Sequence, residues 1–169
     1  KHTPPVIEDG AQSFGAIYEG KRSGNLSTIG TTSFFPSKPL GCYGDGGALF
    51  TNSIELYDRI RKIKNHGCVK RFHHDLIGMN ARLDTIQAAI LLSKLKRYEH
   101  TMEKRRACAA YYTEKLKNNS IIQTPYVRDD SESVWAQYSL LAPSKEARDF
   151  IVEHFKANGV NVAIFYPAP

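Results

Sequence analysis

In the stretch TTSFFPSKPLGCYGDGGALF, Thr31 to Phe50, one lysine, Lys38, stands between two prolines, after a pair of phenylalanines and before a run of glycines. A lysine becomes a useful nucleophile only when its amine can lose a proton near neutral pH, and burial or neighbouring cations promote that loss. Phe34, Phe35 and Pro36 on one side and Pro39 and Leu40 on the other are placed to exclude water from it. Gly41, Gly44, Gly46 and Gly47 let the following chain turn tightly and approach closely. Upstream, the apolar residues of VIEDG end in the carboxylates Glu8 and Asp9, and Ser33 ends the segment that delivers Lys38.

A nucleophilic amine, a carboxylate and a hydroxyl are what pyridoxal phosphate requires. Its pyridine nitrogen needs a carboxylate, here Asp9, to stay protonated, and its phosphate needs donors such as Ser33. Each feature alone has an ordinary explanation. A strand-end aspartate serves as a loop or cap residue, a framed lysine as half of an ion pair. GCYGDGG, which matches neither a Walker loop nor a dinucleotide fingerprint, serves as a turn. The combination carries the reading.

The positioning elements can be read from periodicity. A short strand at Val6 to Ile7, a turn-rich hairpin or surface loop from Tyr18 to Asn25, and strands around Thr31 to Phe35 and Gly47 to Asn52 suit a parallel α/β sheet with ligands at its strand ends. From Ser53 to about Asn65, Leu56, Ile60 and Ile63 recur at helical spacing. Leu83, Ile86, Ile90, Leu91, Leu95, Tyr98, Met102, Ala109, Tyr112 and Leu116 predict one long helix or two joined at a bend. Beyond Asn118, IIQTPYV and SVWAQYSLLAP read as strands. Ser144 then caps a helix with Phe150, Ile151 and Phe155 inward, ended by Asn158 and Gly159, before VNVAIFYPAP begins another strand. The division expected is 1–82, 83–118 for the connecting helix, and 119–169. Both ends read as cut, which makes this the expected piece of a longer protein.

Composition narrows the class. With 169 residues, 41% hydrophobic and 24% charged, the chain is long enough for an ordinary core and is soluble in character. No apolar run would span a bilayer and no signal-peptide pattern opens the chain, so the cytoplasm, with no membrane partner, is the expected location. Cys42, Cys68 and Cys108 form neither a disulfide framework nor a metal spacing, and His66, Cys68, His73 and His74 read as a polar loop. The net charge of +6, concentrated in Arg59, Arg61, Lys62, Lys64, Lys70 and Arg71, suits an anionic partner. No nucleic-acid-binding signature accompanies it, so small phosphorylated ligands are favoured over nucleic acid.

The ordered set VIEDGAQSFGA, SFFPSKPLGCYGDGGALFTN, NHG and GMNARLDTIQAAIL resembles the pyridoxal-phosphate-dependent nucleotide-sugar aminotransferases of the DegT/DnrJ type, over nearly the whole chain. The resemblance implies the aspartate aminotransferase fold (fold type I): part of the large α/β domain and a small α+β C-terminal domain joined by a long helix. It implies that Lys38 anchors pyridoxal 5'-phosphate covalently and then shuttles a proton. By the same resemblance Asp9 binds the pyridine nitrogen, Gln12 the ring or its 3-hydroxyl, and Ser33 the phosphate. Asn80 matches a residue that reaches the cofactor phosphate of a neighbouring subunit, which implies a homodimer with a shared active site. Arg82 either holds a substrate carboxylate or pairs at the subunit interface, and Tyr166 lies in a segment used near the sugar. The wording FFPSKPLGCYGDGGA is nearest to the branch acting on UDP-linked 3-keto N-acetylated uronic acids, with glutamate as donor, for surface polysaccharide such as O-antigen. A C4 aminotransferase, a sugar dehydratase, against which Lys38 argues, and a non-catalytic regulatory protein keeping the fold are the alternatives. The family's upstream phosphate loop and ring-stacking aromatic residue are expected to precede this sequence.

Overall fold

A computed structural model describes residues 4–167. In chain order the elements are β1 (Ile7–Asp9), β2 (Ile17–Tyr18), β3 (Lys21–Arg22), β4 (Ile29–Ser33), β5 (Gly47–Phe50), α1 (Ile54–Ile63), β6 (Cys68–Lys70), β7 (His73–His74), α2 (Thr85–Leu95), α3 (Tyr98–Leu116), β8 (Ser131–Glu132) and α4 (Lys145–Ala157). They form two compact units. The first comprises residues 1–107 and 127–136, the second residues 108–126 and 137–169.

In the first unit β1, β4 and β5 form one sheet in that order. It is mixed rather than parallel as expected: β1 runs parallel to β4, with Asp9 opposite Thr31, whereas β5 returns antiparallel, with Gly47 opposite Ser33. A parallel neighbour needs a long crossover, and only residues 34–46 separate β4 from β5, so the chain folds straight back. β2 and β3 form a tight hairpin, turned through Glu19 and Gly20 at φ of 46° and 75°. Positive φ at both turn residues matches the right-handed twist of the strands. β8 adds to this hairpin from far along the chain, pairing Ile17 with Glu132 and Tyr18 with Ser131.

The core gathers Phe34, Leu40, Cys42, Leu91, Tyr98, Met102 and Val134, with Phe14, Ala16, Ala48 and Leu83 packed against it. Cys42 is 0% and Met102 1% exposed. Of the two readings of the long amphipathic stretch, two helices is the observed one, α2 and α3 meeting at residues 96–97. Leu91, Tyr98, Met102 and Ala109 form its buried stripe, but Ile86, expected to be buried, faces solvent.

Helix boundaries follow capping chemistry. Ser53 accepts a hydrogen bond from the Leu56 N–H (3.3 Å) and Ser144 one from the Ala147 N–H (3.2 Å). α4 ends at Asn158 and Gly159, as its sequence predicts. Two expectations for the second unit fail. Phe150 is 70% exposed, Ile151 and Phe155 alone of the three being half-buried. Among the described residues, which end at 167, the strands expected in IIQTPYV, SVWAQYSLLAP and VNVAIFYPAP do not form, and the segments pair only at the isolated bridge Gln123–Leu141. Alternating apolar residues favour an extended backbone, but a ladder exists only where a neighbour supplies its hydrogen bonds. Among the described residues no helix is long and apolar enough to cross a membrane.

Candidate active site

The C-terminal ends of β1 and β4 place Asp9 and Ser33 on one edge of the sheet. Asp9 pairs with Thr31, and Ser33 lies two residues further on β4, so strand alternation puts Asp9, Thr31 and Ser33 on the same face. Glu8, one residue earlier, points to the opposite face, where its carboxylate accepts hydrogen bonds from the Ser23 hydroxyl (2.8 Å), the Gly24 N–H (2.7 Å) and the Leu26 N–H (3.2 Å). Of the two adjacent carboxylates, Glu8 fastens a loop and Asp9 remains for chemistry. Asp9 is exposed, its Oδ1 accepts from the Ala11 N–H (3.1 Å), and among the described residues no cation pairs with it.

The loop that carries Lys38 leaves β4 on the same edge and is closed at its base. The Phe34 N–H donates to the Gly46 carbonyl (2.8 Å), and the Phe34 carbonyl accepts from the Cys42 N–H (2.8 Å) and from the Cys42 thiol (3.0 Å). Inside it, the Lys38 N–H donates to the Phe35 carbonyl (2.9 Å). Gly41 packs on that turn so closely that a Cβ there would lie 2.6 Å from the Pro36 carbonyl oxygen and 2.7 Å from that of Phe35. The glycines thus serve close approach, since none of Gly41, Gly44, Gly46 or Gly47 adopts a positive φ.

The apolar frame is narrower than expected. Phe34 and Leu40 are buried and Pro39 is half-buried, but Phe35 is 50% exposed and Pro36 is exposed. Alternation along the strand accounts for this: Thr32 and Phe34 face the core, which sends Phe35 the other way. Lys38 is half-buried, and among the described residues no carboxylate lies within ion-pair distance of its Nζ.

Sequence reasoning predicted α2 but missed that it braces this loop. On α2, Gln87 Oε1 accepts from the Tyr43 N–H (2.8 Å), and Lys94 donates to the Gly41 carbonyl (2.5 Å) with its ammonium 4.7 Å from the Tyr43 ring centre. Gln87, Leu91 and Lys94 sit at i, i+4 and i+7, one helical face, and that periodicity was the available signal. Tyr98 at the start of α3 donates its hydroxyl to the Phe14 carbonyl. Burial pushes its phenol up from 10.0 to about 12, against a smaller opposing pull from Arg105.

The other sequence candidates fall elsewhere. Gln12 is exposed in the turn after β1. Asn80 and Arg82 are exposed and lie against the C-terminal end of α1: Asn80 bridges Asn65, Met79 donates to the Ile63 carbonyl (2.8 Å), and Ala81 donates to the Lys64 carbonyl (2.9 Å). An Arg82 guanidinium nitrogen is 3.5 Å from Asn65 Oδ1, the outer limit of a hydrogen bond. Tyr166 is exposed in the second unit, its ring edge-on to Phe165. It lines a cleft of about 680 Å³ with Tyr138, Leu140, Ile151, Phe155 and Ile164, and this cleft includes none of Lys38, Asp9 and Ser33. The site is assigned to the lysine loop on its donor set, the amine of Lys38 following the strand that ends in Ser33, beside the strand that ends in Asp9. Among the described residues no cluster of three His, Cys, Asp or Glu side chains could hold a metal.

The donor set at the sheet edge fits pyridoxal phosphate. Among the described residues Asp9 has no competing cation and Lys38 no carboxylate partner. Ser33 accepts at its oxygen from the Phe35 N–H (3.2 Å), which leaves its hydroxyl hydrogen to donate.

Comparison with known proteins gives the same direction. Residues 1–169 match the model of the DegT/DnrJ/EryC1/StrS aminotransferase family. The chain is 53% identical, over its whole length and 46% of the relative's, to a UDP-2-acetamido-2-deoxy-3-oxo-D-glucuronate aminotransferase of Pseudomonas aeruginosa. It is 42% identical, over its whole length and 45% of the relative's, to a protein of Geobacillus stearothermophilus named as a pleiotropic regulatory protein. The crystal structure of DesV from S. venezuelae in complex with a ketimine intermediate matches 98% of this chain and 44% of its own, at 37% identity and a TM-score of 0.93. The chain thus spans under half the length of the curated relatives it matches. On a match that runs from its first residue to its last, the chain belongs to the DegT/DnrJ/EryC1/StrS aminotransferase family, whose aminotransferases depend on pyridoxal phosphate.

Proposed function

We propose that the complete protein carrying this sequence transfers an amino group from glutamate to a nucleotide-linked keto sugar, most specifically a UDP-linked 3-keto N-acetylhexosaminuronic acid, in the cytoplasm, for surface polysaccharide. The observation that carries this reading is the closed loop that presents Lys38, with no carboxylate partner among the described residues, at the sheet edge where Asp9 and Ser33 end their strands. The 53% identity to a UDP-sugar aminotransferase supports the substrate.

Pyridoxal phosphate, when bound, supplies an electron sink that stabilises negative charge on the carbon that loses a proton. The chain's own residues supply the rest. Asp9 would keep the pyridine nitrogen protonated by a charge-assisted hydrogen bond, and Ser33 would donate to a phosphate oxygen. Gln12 would contact the ring or its 3-hydroxyl. Lys38 Nζ would hold the cofactor covalently and, once released, would take a proton from one carbon and return it to another. That double duty requires an amine fixed in place, which the paired base of its loop provides. In a homodimer Asn80 would reach the neighbouring subunit's cofactor phosphate, and Arg82 would grip the substrate carboxylate with two parallel hydrogen bonds or pair across the interface. Tyr166 would lie near the sugar.

The test is formation of 2-oxoglutarate and amino sugar from glutamate and 3-keto or 4-keto nucleotide sugars by the complete protein. Turnover on the 3-keto uronic acid is expected. Turnover confined to 4-keto sugars would move the assignment to C4 amination. A folded protein that yields no 2-oxoglutarate with any of them would contradict the proposal and favour the regulatory reading, which the Geobacillus stearothermophilus relative's name suggests.

A further inference from the structure

The two adjacent carboxylates of β1 face opposite sides of their sheet, and Glu8 ends a series of side-chain hydrogen bonds. Its Oε1 accepts from the Gly24 N–H (2.7 Å) and the Ser23 hydroxyl (2.8 Å), and its Oε2 accepts from the Leu26 N–H (3.2 Å). Ser23 Oγ in turn lies 2.6 Å from Ser13 Oγ. A hydroxyl has one hydrogen to give, and a carboxylate only accepts. The Ser23 hydrogen is therefore committed to Glu8, and it is Ser13 that donates to Ser23. All three side chains are half-buried, where water competes weakly for such bonds.

The loop at residues 23–26 does not need Ser13. Two N–H bonds to Glu8 already hold it, as does the Ser23 N–H, which donates to the Ala16 carbonyl (2.9 Å). What Ser13 adds is a tie on the turn after β1, which carries Gln12 and orients Asp9. The Ser13 N–H closes that turn on the Gly10 carbonyl (3.1 Å), and within it the Ala11 N–H donates to Asp9 Oδ1 (3.1 Å). Phe14, packed against the core, pins the far end of the turn. One anchor leaves a turn free to pivot, and Ser13 supplies the second. The fit is close: a Cβ on Gly10 would lie 2.4 Å from the Thr31 carbonyl oxygen and 3.1 Å from Ser23 Oγ.

We propose that Ser13 and Ser23, anchored on Glu8, are positioning residues that aim the Asp9 carboxylate at the cofactor's pyridine nitrogen and hold Gln12 beside its ring. The cofactor contacts rest on the function proposed above, whereas the hydrogen-bonded series does not. The test uses the complete protein freed of cofactor, as wild type, Ser13→Ala, Ser23→Ala, the double variant and Ser13→Thr. Three quantities are read: hydrogen exchange at the Ala11 amide, melting temperature, and the dissociation constant of pyridoxal phosphate from its visible absorbance. Ser13→Ala is expected to speed the exchange and to weaken the cofactor roughly fivefold each, the worth of one neutral hydrogen bond. Its melting temperature should fall by no more than a few degrees. The double variant should bind no more weakly than Ser23→Ala alone, because members of one series are not lost twice. Ser13→Thr, which keeps the donor, should match wild type; should it melt below Ser13→Ala, the coupling between the two alanine variants is read in its place. Wild-type uptake of pyridoxal phosphate that Ser13→Ala leaves unchanged, or losses that add in the double variant, would overturn the positioning role and spare the aminotransferase reading. A wild type that takes up no pyridoxal phosphate, while Ala11 exchange still responds to Ser13→Ala, would overturn both and leave the series as a tie within the fold.

Discussion

The first unit buries a cluster of apolar side chains that includes Phe34, Leu40 and Cys42 of the Lys38 loop; among the described residues the second unit buries one. Of the buried hydrophobic residues described, only Ala109 belongs to the second unit, whereas Phe34, Leu40, Cys42, Leu91, Tyr98, Met102 and Val134 all belong to the first. The second unit exposes Phe150, Phe165 and Tyr166 and holds a cleft lined by Tyr138, Leu140, Ile151, Phe155 and Ile164. The difference shows where the chain has invested its packing, in the platform that fixes one loop. A reactive amine is useful only within a fraction of an ångström of its target. The first unit meets that need with buried side chains and a paired loop base.

If this contrast is real, substitutions in the two regions should differ by mechanism as well as size. Lys38→Ala should lower kcat of the complete protein by roughly a thousandfold or more, while its unfolding free energy in urea changes by less than about 0.5 kcal/mol, because the lysine is half-buried and forms no ion pair among the described residues. A large loss of stability would mean that the lysine is structural. Met102→Ala, which hollows the core at its most buried large side chain, should cost about 2–5 kcal/mol in urea unfolding. Phe150→Ala, on an exposed helix face, should cost less than about 0.5 kcal/mol. Similar costs for the two would erase the distinction between the regions.

A pH series probes the same platform. The Tyr98 phenol is raised by burial from 10.0 to about 12 in the folded protein. An acid whose folded pKa is raised stabilises the fold while protonated, so the stabilisation is complete below about pH 10 and is lost as pH climbs towards 12. Wild type should lose on the order of 2 kcal/mol more than Tyr98→Phe across that window, and equal slopes would contradict the burial. The smallest expected effect is local. Gln87→Leu removes the acceptor of the Tyr43 N–H, and hydrogen exchange at Tyr43 should accelerate roughly fivefold, about 1 kcal/mol of local opening. An unchanged rate would show that α2 does not brace the loop.

The sequence made the local features legible. Ser53 and Ser144 signalled helix starts, Asn158 and Gly159 a stop, and the phenylalanines, prolines and glycines around Lys38 a confined turn. What escaped was set at long range. Nothing near Glu8 announces that it will fasten residues 23–26, and Ser131–Glu132 becomes a strand only because the β2–β3 hairpin offers it an edge. The exposed side of Phe35 was available from strand alternation, once Phe34 was taken as inward. The missing strands of the second unit show the reverse error: alternation predicted strands but could not supply their partners.

The most direct test of the central claim is chemical. The complete protein is incubated with pyridoxal phosphate, treated with borohydride, weighed intact and mapped by peptide, with Lys38→Ala alongside. A single pyridoxyl group on Lys38, absent from the variant, is the predicted result. Labelling that is absent, or spread over surface lysines equally in both proteins, would contradict Lys38 as the cofactor's anchor.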